Sequence, residues 1–396
     1  MKDTFPGYKF KTINALGVAV LANASEDIGT FLDIGCDPNF SETSLTYIET
    51  KCKNPIFDQL GIPCAREITV EGYTPLILAV ISGNVDSVKK LAEIPQIDLD
   101  AELSTSENAL WLATSSGNQE KTRALADAGA KLDVRGGEYR TTPLGNAVLQ
   151  DDIDLVRYLL RKGADVNMRS KTNSSPANYA VGKGNLDILK LLKSAGADLD
   201  GFEGEDDASL LIIAAATDKQ DILEYLLAQK VDVNKEDAKG RTAMSLASFA
   251  GYLEIVKSLV RSGADLDTLY GPDEFSALAA AVLKGHTDIA LFLIQSGAEV
   301  NNKDVRGFTA AHNAAQEGNL VVLKALAEGG ADLDVKGGDY QTTPLGLAAL
   351  KGHLEVVKFL AAKGVDLGAT DKDGKTALEL AREFGRDDVV EFLEEK

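Results

Sequence analysis

Three histidines (His286, His312, His353) and three cysteines (Cys36, Cys52, Cys64) are the chain's whole stock of imidazole and thiol in 396 residues. A zinc site wants Cys or His pairs at short spacing, and no histidine lies near these cysteines, so no metal centre is expected. The sequence holds no nucleophile motif, no G-x-x-x-x-G-K-[ST] phosphate loop and no dinucleotide fingerprint, and no cofactor is expected. The "DKDG" at Asp371 has its glycine in the wrong place for a calcium loop. Carboxylates are plentiful: 61 Asp and Glu stand against 41 Lys and Arg, a formal net charge of −20. A nucleic acid would need a basic stripe to displace its counterions, whereas a cationic partner would be steered toward this surface. The densest acidic cluster, Glu203, Glu205, Asp206 and Asp207 in "GFEGEDDAS", falls on one predicted loop tip.

The elements that must position these groups repeat. "GGEYRTTPLG" at Gly136 returns almost unchanged as "GGDYQTTPLG" at Gly337. Between and around the two, the threonine of "TTPL" is matched by Thr74, Asn108, Thr142, Ser175, Ser209, Thr242, Ser276, Thr309, Thr343 and Thr376, a period of about 33 to 34 residues. A more divergent unit begins near Asn14. Each unit carries an apolar face at helical spacing (Leu345, Ala348, Ala349), a glycine, a second such face (Val356, Val357, Leu360) and a turn signal. That pattern predicts helix, tight turn, helix and an exposed loop. Helices this short are marginal alone, so their stability must come from stacking unit on unit.

The sequence resembles the ankyrin-repeat family over nearly its whole length. "GADVN" at Gly163, "GADLD" at Gly196, Gly263 and Gly330, and "GAEVN" at Gly297 match one half of that family's pattern. "DAKGRTAMSLASFAGYLEIVKSLV" at Asp237 and "DVRGFTAAHNAAQEGNL" at Asp304 match the other. The resemblance implies an all-α ankyrin-repeat solenoid of about eleven helix-turn-helix units with protruding loops. Thr suits the first helix cap, Pro its first turn, and Gly a helix end that needs positive φ. It also accounts for the histidines: His312 falls at the family's T-P-L-H position, and His286 and His353 at its G-H position, where such rings hydrogen bond between loops. None is left over for acid, base or metal chemistry.

A single array spanning 1–396 is expected. Within it, 1–39 form a divergent first repeat, 40–70 an insertion, 71–374 the central repeats and 375–396 a charged capping repeat. The N-terminus, "MKDTFPGYKFKTINALGVAVLANAS", has basic residues, an apolar run and "ANA" in the manner of a signal peptide. Yet its apolar run is short, Asp3 and Pro6 sit awkwardly, and Leu16, Ala19, Val20, Ile28 and Phe31 keep the repeat frame. A retained repeat and a cytoplasmic protein are expected, the alternative being a periplasmic or secreted one if 1–24 are a signal peptide. The odd cysteine count suits a reducing compartment, with a Cys52 to Cys64 bridge left open. No segment is apolar enough to span a membrane.

Proteins of the family are mostly binding scaffolds that use loop tips and the inner face of the first helices. Mapped onto this chain, the tips hold Tyr73, Tyr139, Tyr270, Phe275, Phe308 and Tyr340, and the inner face holds Ile81, Leu149, Phe249, Leu283 and Leu350. The extra glycine of "RGGEY" and "KGGDY" is expected to lengthen those loops so that Tyr139 and Tyr340 project. Trp111, at the motif's histidine position, is expected in the core. The partner surface is accordingly expected at Tyr73, Tyr139, Phe249, Tyr270, Phe275, Phe308 and Tyr340, with the acidic tip Glu203, Glu205, Asp206 and Asp207. The expected function is non-enzymatic binding of a basic protein by a chain that is monomeric when unbound. An inhibitor or immunity-type antagonist of a toxin or enzyme is the alternative, and an unrecognised enzyme a third.

Overall fold

The computed structural model describes residues 74–82 and 85–396. Tyr73, the three cysteines, the divergent first repeat and the 40–70 insertion lie outside them. The chain divides into two compact units, Met1–Asp198 and Leu199–Lys396. In the first, the described helices are α1 (Pro75–Ser82), α2 (Val85–Ala92), α3 (Ala109–Ser115), α4 (Gln119–Asp127), α5 (Pro143–Leu149), α6 (Ile153–Lys162), α7 (Pro176–Lys183) and α8 (Leu186–Ser194). The second opens with a two-stranded hairpin, β1 (Phe202–Glu203) and β2 (Ala208–Ser209). It continues through α9 (Leu210–Ala216), α10 (Gln220–Ala228), α11 (Ala243–Ala250), α12 (Leu253–Arg261), α13 (Ala277–Leu283) and α14 (Thr287–Gln295). It ends with α15 (Ala310–Gln316), α16 (Leu320–Glu328), α17 (Pro344–Lys351), α18 (Leu354–Ala362), α19 (Ala377–Glu383) and α20 (Asp387–Glu394). Among the described residues this is ten helix pairs and almost no sheet, as an all-α repeat protein requires.

Each of the ten aligned polar residues precedes the first helix of its pair, as the period predicts. Asn108 Oδ1 accepts from the Trp111 N–H at 2.8 Å, Thr142 Oγ1 from Gly145 at 2.9 Å and Thr343 Oγ1 from Gly346 at 3.2 Å. These bonds satisfy amides that a helix start leaves without intrahelical partners. Within each compact unit, first helices pack on first helices and second on second. The faces they share are lined by small and branched side chains: Ala147, Val148, Val156 and Leu159 in one unit, and Ala280, Ala314, Val322 and Leu326 in the other, are fully buried. Alanine on the first helices lets backbones approach. Leucine and valine on the second supply the area, each buried leucine contributing roughly 2 kcal/mol.

Between pairs runs a ladder of side-chain bonds. The Asp165 N–H donates to Asp133, Asp332 to Asn301 and Asp366 to Asp334, each at 2.8 Å. Much of the acidic surplus therefore serves backbone donors rather than an external ligand.

The glycine and histidine of the G-H positions form a stacked joint. His353 Nε2 lies 2.9 Å from the Gln316 carbonyl, and His286 Nε2 3.1 Å from that of Phe249, so each ring caps the preceding unit's first helix. A Cβ at Gly318 would come within 2.7 Å of the His353 ring, and the residue sits at φ +69°, which explains the glycine twice over. Arg386 replaces the histidine one unit later, its Nε donating to the Leu350 carbonyl at 2.9 Å.

Candidate protein-binding surface

The loops that carry the expected contact residues are of two kinds, and they alternate. One kind is a hairpin closed by a narrow backbone bridge: Gly136 with Thr141, Glu203 with Ala208, Tyr270 with Phe275, and Gly337 with Thr342. All four share left-handed backbone at the second position (Gly137, Gly204, Gly271, Gly338) and at the fifth (Arg140, Asp207, Glu274, Gln341). The other kind is a short turn held by its first side chain. Asp304 Oδ1 accepts from Arg306 and Phe308 amides at 2.9 and 2.8 Å, and Asp371 Oδ1 from Asp373 and Lys375, both at 2.9 Å.

The hairpins correct the reading of the doubled glycine. Those at Glu203 and Tyr270 have the same length without it, so the extra glycine does not lengthen the loop. It makes room. A Cβ at Gly136 or Gly137 would lie 2.8–2.9 Å from the Trp111 indole, and one at Gly338 would lie 2.6 Å from the Phe308 ring. Trp111 itself is half-buried and donates from Nε1 to the Thr141 carbonyl at 2.8 Å. His312, six units on, makes the same link from Nε2 to the Thr342 carbonyl at 3.1 Å. The Thr309 N–H donates to its Nδ1 at 3.1 Å, which fixes the Nε2–H tautomer, and burial lowers its pKa to about 4. The ring is thus a structural neutral imidazole.

Of the expected aromatic contact residues, Tyr139 and Tyr340 are the most exposed, at 60% and 63%, each on a hairpin tip. Phe249 stands exposed at the end of α11 with the Lys284 ammonium 4.4 Å from its ring centroid. Phe275 and Phe308 are half-buried. The Phe308 ring centroid lies 5.0 Å from that of His312, under the glycines of the next hairpin, so this ring is largely packing.

Two expectations fail on burial. Tyr270 is buried because it fills the first hairpin position that glycine occupies elsewhere, and burial raises its phenol pKa. Glu203 occupies the equivalent position and is 1% exposed rather than at a tip. Of the remaining acidic tip, Asp206 binds Lys239 at 2.9 Å and Arg241 at 3.3 Å, and the lysine hydrogen bond holds its carboxyl below the usual range. Glu205 and Asp207 are exposed.

In the second unit, one hairpin and the inner helix face meet in a groove of about 350 Å³. Its floor is Leu347 and Leu350 of α17, Leu380 of α19 and Phe384 just beyond, and Tyr340 forms one wall. Asp339, Asp371, Asp373 and Glu383 rim it. Lys375 also lines it, and its ammonium is already paired with Glu383 at 2.6 Å. Phe384, 48% exposed, was not among the expected residues. It follows the last residue of its first helix, one place beyond the inner-face column that the repeat alignment traces. Among the described residues, no group of three or more His, Cys, Asp or Glu side chains could hold a metal ion, and no helix is long and apolar enough to cross a membrane.

Models of ankyrin repeats match the chain over 93–170, 136–203, 177–270 and 267–337 (ankyrin repeats, three copies) and over 326–381 (ankyrin repeats, many copies). The chain belongs to the ankyrin-repeat family. It is 31% identical over 67% of its length to the Ankyrin repeat and KH domain-containing protein mask-1 of Caenorhabditis elegans. It is also 27% identical over 52% to the B-cell lymphoma 3 protein homolog of Mus musculus. Over 81% it is 26% identical to the Transient receptor potential cation channel subfamily A member 1 of Homo sapiens. These matches cover 10%, 47% and 33% of the respective relatives. What the chain shares with them is the repeat array, a fold that generally mediates protein–protein interaction.

Proposed function

We propose that this ankyrin-repeat chain is a non-enzymatic protein-binding module, and that its 199–396 unit takes a basic, partly apolar segment of a partner protein into the groove beside Tyr340. The observation that carries this reading is the composition of the groove: an apolar floor of three leucines and Phe384 under a rim of four carboxylates, of which Glu383 is paired with the groove's lysine and Asp371 also holds its turn, so that the rim stays acidic on balance. An apolar side chain of the partner would bury against the floor while its cations meet the rim, and the exposed Tyr340 offers a large, stiff contact area. Tyr139, Phe249, Glu205 and Asp207 are further contacts in this reading. Tyr270 and Glu203 contribute none, being buried.

The test is fluorescence anisotropy of the full chain with three labelled peptides of one length. One alternates arginine with leucine, one has glutamate for arginine, and one has serine for arginine. The arginine peptide is expected to bind best and to weaken as salt rises, because screening acts on exposed charges. Equal binding of the arginine and glutamate peptides would refute the basic-partner reading.

A further inference from the structure

The two loop kinds recur with a period that the 33-residue repeat hides. The hairpins begin at Gly136, Glu203, Tyr270 and Gly337, a constant step of 67 residues, and the short turns at Ser170, Asp237, Asp304 and Asp371, again 67 apart. Every hairpin is tied to the turn that follows it by one backbone bond in the same place. The Lys171 N–H donates to the Tyr139 carbonyl at 2.9 Å, Ala238 to Asp206 at 2.8 Å, Val305 to Asp273 at 3.0 Å and Lys372 to Tyr340 at 2.6 Å. In each pair the acceptor is the third residue after the first bridge residue, at the hairpin tip, and the donor is the second residue of the turn. The side-chain ladder keeps the same beat in the middle of the array: Asp133, Asp200, Asp267 and Asp334 precede the hairpins, and Asn167, Asn234 and Asn301 precede the turns at Ser170, Asp237 and Asp304, while Asp100 and Gly368 stand at the outer positions of that series. These are features of backbone and side chain; the backbone bond marks all four hairpins, and the Asp/Asn alternation follows it across the central repeats.

We infer that the structural unit of this array is a block of two repeats, hairpin first and short turn second, in which the turn clamps the hairpin tip. A single repeat holds half of that clamp. Each block therefore sets one tip in place, and the exposed tips that can meet a partner come once per block rather than once per repeat.

Two deletions in the full chain separate the block from the single repeat. Removing 237–269 takes out one repeat and places the hairpin at Tyr270 where the turn at Asp237 had been, so the Asp206 tip loses its clamp. Removing 237–303 takes out a whole block and puts the turn at Asp304 in that place, so the alternation survives. Each creates one new junction. If stability were a sum over single repeats, the longer chain would be the more stable. The inference predicts the reverse: in urea unfolding followed by circular dichroism, the chain lacking 237–303, although the shorter of the two, unfolds at the higher midpoint, and folding of that chain alone is the same result in stronger form. A midpoint for the 237–269 deletion equal to or above the other overturns it.

Should both deletions fail to fold, V305P in the intact chain decides. The Gly307 N–H donates to the Asp304 carbonyl at 2.8 Å, which makes Val305 the second residue of a turn where proline is favoured. The substitution removes the clamping N–H at a turn position that tolerates proline's fixed φ, and V305A serves as the reference for loss of the valine side chain. V305P is expected to melt several degrees below V305A, and a V305P melting point at or above that of V305A overturns the inference.

Discussion

His312 is held neutral by its surroundings, with Nδ1 accepting from Thr309 and Nε2 facing the Thr342 carbonyl in a fully buried site. Its folded pKa of about 4 lies below the 6.5 of an exposed imidazole. A group with a depressed folded pKa stabilises the protein above its unfolded pKa and loses that contribution as pH falls, here between about 6.5 and 4. The difference is on the order of 3 kcal/mol at most. Urea titrations at pH 7 and pH 4.5 should show wild type losing more stability than H312Q over this interval, and parallel losses would mean that another group governs the acid limb. Gly318 is the second residue-scale case. G318A places a Cβ against the His353 ring at a positive φ, and should cost about 1–3 kcal/mol, read as a lowered melting temperature.

At the scale of elements, the helix starts were legible in the sequence because a cap is a local device: one polar side chain, three residues from the amide it satisfies. T343A should cost about 1 kcal/mol by thermal melt, since it removes the bond to the Gly346 N–H while leaving the Pro344 start in place. The joint of glycine and histidine links residues in successive repeats rather than neighbours in sequence, and it was legible only through the family resemblance that placed His286 and His353. The hairpins were not. "GGEY", "EGED", "YGPD" and "GGDY" share only the glycine at their second position, and what unites them is backbone conformation, with left-handed residues at the second and fifth places. That is why sequence reading found the two glycine-rich copies, missed the two between them, and put Tyr270 and Glu203 at tips. Whether a bulky residue at a hairpin's first position points inward depends on what the preceding repeat offers it. Where Trp111 or Phe308 fills that space, only glycine fits.

At the scale of the whole molecule, the sequence offers candidate contact residues but not the groove that the structure shows beside Tyr340. Net charge and tip aromatics pointed to electrostatic recognition, yet the ladder and the short turns account for many of the carboxylates. The groove depends on residues from three repeats that no local pattern joins. If Tyr139 and Tyr340 serve contact rather than packing, Y139A and Y340A should each shift stability by less than about 0.5 kcal/mol, as substitutions at exposed sites do. A marked drop in their melting temperatures would reassign these rings to packing. The central claim, that a basic and partly apolar segment is received in the groove of the 199–396 unit, is tested most directly by hydrogen–deuterium exchange of the full chain with and without the arginine–leucine peptide. The account predicts added protection concentrated in 337–342, 347–351 and 380–385, diminished in F384A. Protection confined to other repeats, or an F384A pattern identical to wild type, would contradict it.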